Sequence, residues 1–161
     1  MAIVAEGAIG TQPDPGNTAD SPRPVLLATL SVRIDPAAER VALESALETG
    51  ARLIIANMLR LPSYPLTVML AREYATLPAE EDLEAVRGTA DRAAAMGVRT
   101  ELLRVSSRRP VTALIELARE RHAGLLVFGP KRSAISALRF RAAARRIRRE
   151  LDCLVWIGPD G

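Results

Sequence analysis

The sequence predicts an α/β fold: a doubly wound parallel sheet of five strands, with helices on both faces. Three observations carry this prediction. Five short apolar runs recur along the chain, at Val25–Leu30, Arg52–Met58, Arg99–Val105, Gly124–Gly129 and Cys153–Ile157. Segments of helical period separate them, an alternation that builds right-handed crossovers and a sheet covered on both sides. At 161 residues, with 48% hydrophobic and 25% charged content, the chain suits one soluble domain with a real core.

Each element has a local reason. Residues 1–24 carry four prolines with Gly, Asn, Asp and Ser, and read as a flexible N-terminal tail, any ordering of Ile3–Val4 being left open, ahead of a domain over 25–161. Asp35 before Pro36 predicts an N-cap with proline at the first helical position. That helix runs to Thr49, with Ala42, Leu43, Ala46 and Leu47 on one face, and Gly50 ends it. Residues 61–78 form a longer connection with three prolines and a short helix near 67–74. Glu80–Met96 is an amphipathic helix with Leu83, Val86, Ala90 and Ala93 inward, stopped by Gly97. Arg99–Val105 alternates as a sheet edge or a half-covered face does. Pro110 opens a helix to Arg121, with Val111, Leu114, Ile115 and Ala118 on its buried stripe. An arginine-rich helix over 137–151 leads to the last strand.

Composition removes several function classes. No apolar run reaches the roughly 20 residues that span a bilayer. The amino terminus has no basic region and Glu6 interrupts its apolar start, so no secretory signal is expected and the expected compartment is cytoplasmic. One cysteine allows neither an internal disulfide nor a cysteine-based metal site. Aromatics are scarce, which disfavours base-stacking platforms.

In doubly wound sheets ligands bind beyond the carboxyl ends of the strands, where the strand order reverses. The residues placed there are Thr29 and Ser31 after the first strand, Asn57 in the second, and Gly129, Lys131, Arg132 and Ser133 after the fourth. A strand that opens through glycine into a loop and helix favours anions, because exposed N–H groups and the helix dipole both attract negative charge. These seven residues are the candidate anion or nucleotide pocket, with Lys131 and Arg132 expected to be exposed. No catalytic residue and no metal site is expected.

The order of elements from Val25 to Gly158 resembles the universal stress protein family. The resemblance rests on that order, on the strand ending in Gly129, and on the closing helix followed by Cys153 and an apolar strand. It implies a Rossmann-like sandwich of the adenine-nucleotide-hydrolase-like kind, strand order 3-2-1-4-5, dimerisation through the last strand and, in one subgroup, ATP binding. That subgroup has an aspartate at the end of strand one, a second glycine three residues after the first, and a Gly-Ser or Gly-Thr pair further on. Here Leu30, Arg132 and Ala142-Ala143 stand at those places. Leucine accepts no hydrogen bond, arginine brings a Cβ to a loop that asks for glycine, and alanine lacks the hydroxyl.

Charge is uneven. Residues 131–149 hold eight basic groups and no acid, against a net +3 for the whole chain. Arg139, Arg141, Arg145, Arg146, Arg148 and Arg149 could contact nucleic acid phosphates. The preferred reading is the solvated face of an amphipathic helix whose apolar stripe is Phe140, Ala144, Ile147 and Leu151. His122, the single histidine, lies near a helix C-terminus with no nucleophile pattern around it. Cys153 reads as a small buried hydrophobe, and Tyr64 and Tyr74 as packing under the long connection.

The sequence therefore points to a non-enzymatic regulatory or stress-protective dimer with a degenerate nucleotide pocket and no cofactor. One alternative is a sensor that binds ATP or another nucleotide. Another is a basic module docking on nucleic acid or an acidic protein. The expected partner is a second copy, paired through Leu154, Val155, Trp156 and Ile157; a protein partner is admitted, while nucleic acid and membrane are not expected.

Overall fold

The structure is a computed structural model that describes residues 2–9, 22–61 and 80–158. In chain order its elements are β1 (Ala2–Ile9), β2 (Val25–Thr29), α1 (Pro36–Thr49), β3 (Leu53–Arg60), α2 (Glu80–Ala95), β4 (Thr100–Ser107), α3 (Pro110–Glu120), β5 (Leu125–Phe128), α4 (Ala137–Glu150) and β6 (Leu154–Ile157). The sheet order is β1-β4-β3-β2-β5-β6. From β2 onward all strands are parallel. Counted from β2, this is the 3-2-1-4-5 order of a five-stranded doubly wound sheet.

Side-chain alternation along the strands divides the core in two. Leu26, Ala28, Ile54, Met58, Leu103 and Phe128 face α3 and α4, meeting Leu114, Ile115, Phe140 and Ile147. Leu27, Ile55 and Val127 face α1 and α2, meeting Ala38, Ala42, Val86 and Ala90. Burial on both sides explains why β2 reads as a continuous apolar run.

The helix boundaries follow their caps. The Asp35 side chain accepts from the Ala37 amide at 2.9 Å, and Pro36 takes the first helical position. Gly50 closes α1 in the left-handed region at φ 65°. The Ser136 side chain accepts from the Arg139 amide at 3.4 Å and starts α4. Such a cap contributes about 1 kcal/mol.

The amino-terminal segment contains an element that the sequence left open. Within residues 1–24, read from sequence as flexible, Ala2–Ile9 is a strand that pairs antiparallel with β4, with an irregularity between Ala5 and Ala8. The physical reason is the edge: the outer side of β4 would otherwise leave its N–H and C=O groups unpaired. So β4 is an interior strand of the sheet. Residues 10–21, the short helix expected near 67–74, and Tyr64 and Tyr74 lie outside the described residues.

Candidate functional site

The carboxyl ends of β2, β3 and β5 converge at one end of the sheet, and the fold brings most of the nominated residues there. Thr29 is fully buried and sits opposite Asn57 in the β2–β3 register. Its hydroxyl donates to the Val32 carbonyl at 2.6 Å, turning the chain sharply after the strand. Ser31 adopts φ 58°, a left-handed backbone rare for residues with a Cβ. Its hydroxyl donates to the Met58 carbonyl at 3.0 Å and so ties the β2 loop to β3. Leu30 is half-buried and packs on the α3/α4 core.

The loop after β5 is engaged in the same way. The Gly129 amide donates to Ala28, and its carbonyl accepts from the Asp35 amide at 2.9 Å. Pro130 bridges to Ile34, and the Lys131 amide donates to the Arg33 carbonyl at 2.9 Å. Gly129 is glycine for a packing reason. A Cβ there would fall 2.0 Å from the Cβ of Ala38 on α1, a contact no side chain tolerates. A ligand is not needed to explain the residue.

Beyond Lys131 the loop does not run straight into α4. Arg132–Ala134 form one turn of 3₁₀ helix. The Ala134 amide donates to Lys131 and the Ile135 amide to Arg132, so two of the loop's donors serve the turn itself. Arg132 was expected to be exposed. It is half-buried instead, and its guanidinium lies over the Phe140 ring with Cζ 4.2 Å from the ring centroid. A planar, weakly hydrated cation gains more from that aromatic face than from water alone. Ser133 is exposed, and Lys131 is half-buried. Ala142 and Ala143 lie in the second turn of α4, away from its first amides.

Asn57 is 3% exposed, and among the described residues its Oδ1 has no hydrogen-bond partner. A buried amide oxygen left bare costs about 1–3 kcal/mol.

Arg33 joins this region to α2, and the sequence reading missed it. Its backbone amide and Nε both bind the Asp82 carboxylate, at 3.3 and 3.0 Å. Deeper between the helices, Arg92 Nε binds Glu39 at 2.6 Å, and the Thr89 hydroxyl adds a bond to the same carboxylate at 2.9 Å. The Arg92 hydrogen bond holds the Glu39 carboxyl below its ordinary range, against the opposing effect of burial. Only contacts between sequence-distant residues reveal these pairs, so no local motif announces them.

At the opposite end of the sheet, Arg23, Arg119, His122, Asp152 and Cys153 line an open cavity of about 470 Å³. His122 is exposed and adopts φ 50° just past α3. Burial pushes the Cys153 thiol up, away from the reactive thiolate. Cys153 is half-buried rather than a core residue. Among the described residues no group of three His, Cys, Asp or Glu side chains could hold a metal ion. Nor is any described helix long and apolar enough to cross a membrane.

Comparison with known proteins agrees with this architecture. The model of the universal stress protein family matches residues 22–159. A member of that family from Burkholderia pseudomallei is 23% identical, covering 85% of this chain and 96% of its own, with a TM-score of 0.59. A universal stress protein in complex with cAMP is 28% identical, over 84% of this chain and 95% of its own, with a TM-score of 0.59. The one from Archaeoglobus fulgidus in complex with dAMP is 19% identical, over 83% and 95%, with a TM-score of 0.57. No curated protein matches the chain. Strand order, the Gly129 turn and a match over nearly the whole domain lead to one assignment: the chain belongs to the universal stress protein family.

Proposed function

We propose that this chain is a non-enzymatic regulatory or stress-protective dimer whose nucleotide pocket has diverged from nucleotide binding. One observation carries the reading: several of the pocket's donors are bonded within the protein. The hydroxyls of Thr29 and Ser31 bind Val32 and Met58, and the Lys131 amide binds Arg33. Arg132 rests on Phe140. A nucleotide would have to break these contacts, and Leu30 and the Ala142-Ala143 pair supply no replacement. Titration calorimetry with Mg-ATP should give no saturable heat below about millimolar ligand, equivalent to roughly 4 kcal/mol. Micromolar affinity overturns the reading.

The dimer is proposed through β6. Leu154 is 74% exposed, and Val155 and Trp156 are half-buried along this last strand. An apolar edge of this kind invites pairing with an identical strand about a two-fold axis. Sedimentation should find a dimer that Trp156→Lys dissociates. A wild-type monomer at every concentration counts against it.

Asn57 favours a second reading, a nucleotide-binding sensor. Its buried, unpartnered Oδ1 is an acceptor that a ligand amine could satisfy, and the similar structures include cAMP and dAMP complexes. Under this reading AMP raises the melting temperature, and Asn57→Leu abolishes that rise. No AMP effect on the wild-type protein excludes it.

A further inference from the structure

The outer face of α4 carries charge that the protein does not use. Phe140, Ala143, Ala144 and Ile147 point to the sheet and are buried. Helical geometry puts Leu138, Ala142, Arg145 and Arg149 along the opposite side, with Arg141 and Arg148 beside them. Arg139, Arg141, Arg145, Arg148 and Arg149 are all exposed. Arg146 and Arg149 pair with Glu150, at 2.9 and 3.2 Å. Among the described residues, Arg139, Arg141, Arg145 and Arg148 have no acidic partner. Arg139 stands on one flank of this exposed face and Arg141, Arg145 and Arg148 on the other, and the field these guanidinium groups create together attracts a polyanion.

We infer that this face docks on the phosphate backbone of a nucleic acid duplex, without reading sequence. The inference is independent of whether the pocket holds a ligand. Three features select the partner. The apolar side of α4 is committed to the core, so the helix cannot lie in a membrane as an amphipathic anchor does. Leu138, 80% exposed, is the one large apolar residue on the face, too little for the apolar anchors of a protein interface. The face has no aromatic residue on which single-stranded bases could stack. What remains is planar cations around one exposed helix face, suited to phosphate oxygens. Arg141 and Arg148 stand about 10 Å apart along the helix, comparable with the roughly 12 Å width of the B-form major groove, so opposite ends of α4 reach phosphates on both walls. Ala142 between them lets the helix approach closely. This departs from the sequence-based expectation of a merely solvated face, because only the structure shows which arginines lack an acid.

The test is fluorescence anisotropy of a labelled random-sequence duplex with the full-length protein, from about 50 to 200 mM salt. Binding should saturate at low salt and weaken about a hundredfold across that range. This corresponds to a log–log slope near −3.6, from four phosphates at about −0.9 each. A variant combining Arg139→Gln, Arg141→Gln, Arg145→Gln and Arg148→Gln should lose saturable binding while keeping its circular dichroism and melting temperature. Single changes keep the inference testable if that variant unfolds: Arg141→Gln alone should reduce the slope by about 0.9. Arg40→Gln with Arg99→Gln, on other surfaces, should bind as the native protein does. The inference is overturned if the duplex does not bind at low salt, if the slope is near zero, or if the folded quadruple variant binds normally. Equal or tighter binding of polyglutamate, of phosphatidylserine vesicles or of the single strand also overturns it, since each would assign the face to another partner.

Discussion

The carboxyl end of the sheet and the outer face of α4 are two polar regions organised in opposite ways. At the sheet end, the Thr29 and Ser31 hydroxyls and the Gly129 and Lys131 amides all end on backbone carbonyls of the same chain. On α4, four guanidinium groups end in solvent. A polar group already bonded inside a protein offers a ligand little, because the old bond must be given up first. The contrast teaches that a polar group placed at the strand ends is not thereby free to bind.

The largest effect expected from breaking this contrast is at Gly129. If the residue serves packing, Gly129→Ala should destabilise the protein by about 3 kcal/mol with no ligand present. For a chain of this length that lowers the melting temperature by about 6–12 °C. Ala38→Gly in the same chain should restore part of the loss by removing the opposing methyl. A stable Gly129→Ala protein would leave the glycine to be explained by a ligand.

Phe140→Leu comes next. The ring is fully buried, stacks on Phe128 at 5.6 Å between centroids, and supports Arg132. Leucine keeps much of the volume but loses both aromatic contacts, a cost of about 1–2 kcal/mol. Loss of the ring beneath Arg132 should also raise phosphate affinity at the loop. An unchanged phosphate response alongside the expected destabilisation would mean that other contacts hold Arg132.

A smaller effect belongs to Glu39. Its folded-state pKa is depressed by Arg92, so its contribution is present above the ordinary glutamate pKa of about 4.3 and disappears as pH falls through the lower folded value. Arg92 is largely exposed, which limits the pair to about 1 kcal/mol. Glu39→Gln should therefore melt about 3 °C lower at neutral pH, with the gap closing in acid. A gap that persists below the folded pKa would trace the loss to packing between α1 and α2.

The smallest difference expected is none. Phosphate should raise the melting temperature of the native protein and of a Lys131→Ala, Arg132→Ala variant equally, through general exclusion from the surface. A response confined to the native protein would restore the loop as an anion site.

The legible parts of this fold were those written locally. Asp35-Pro36 and Gly50 mark the ends of α1, and the five apolar runs mark the parallel strands, because caps and burial act within a few residues. The site was legible only as a position. Thr29, Asn57 and Gly129 do meet at one end of the sheet. What those groups are bonded to was not legible, because Ser31 with Met58, Lys131 with Arg33, and Gly129 with Ala38 join different segments. Arg132 misled for a related reason: a charged residue in a loop reads as solvated until an aromatic ring eight positions later turns out to lie beneath it. Ala2–Ile9 was hidden by the proline-rich stretch that follows it, and by the absence of a nearby strand to pair with.

That first strand has a consequence for the order of folding. β1 leaves the ribosome first, yet its register partner for Ala2 is Ser106, more than half the chain away. β4 can pair with β3 and take its place in the parallel sheet without β1, whereas among the described strands β1 pairs with β4 alone. Closing so long a loop is entropically costly and brings only one edge of hydrogen bonds. The amino terminus should thus be the last strand to add during refolding, and its amides among the first in the sheet to exchange with solvent.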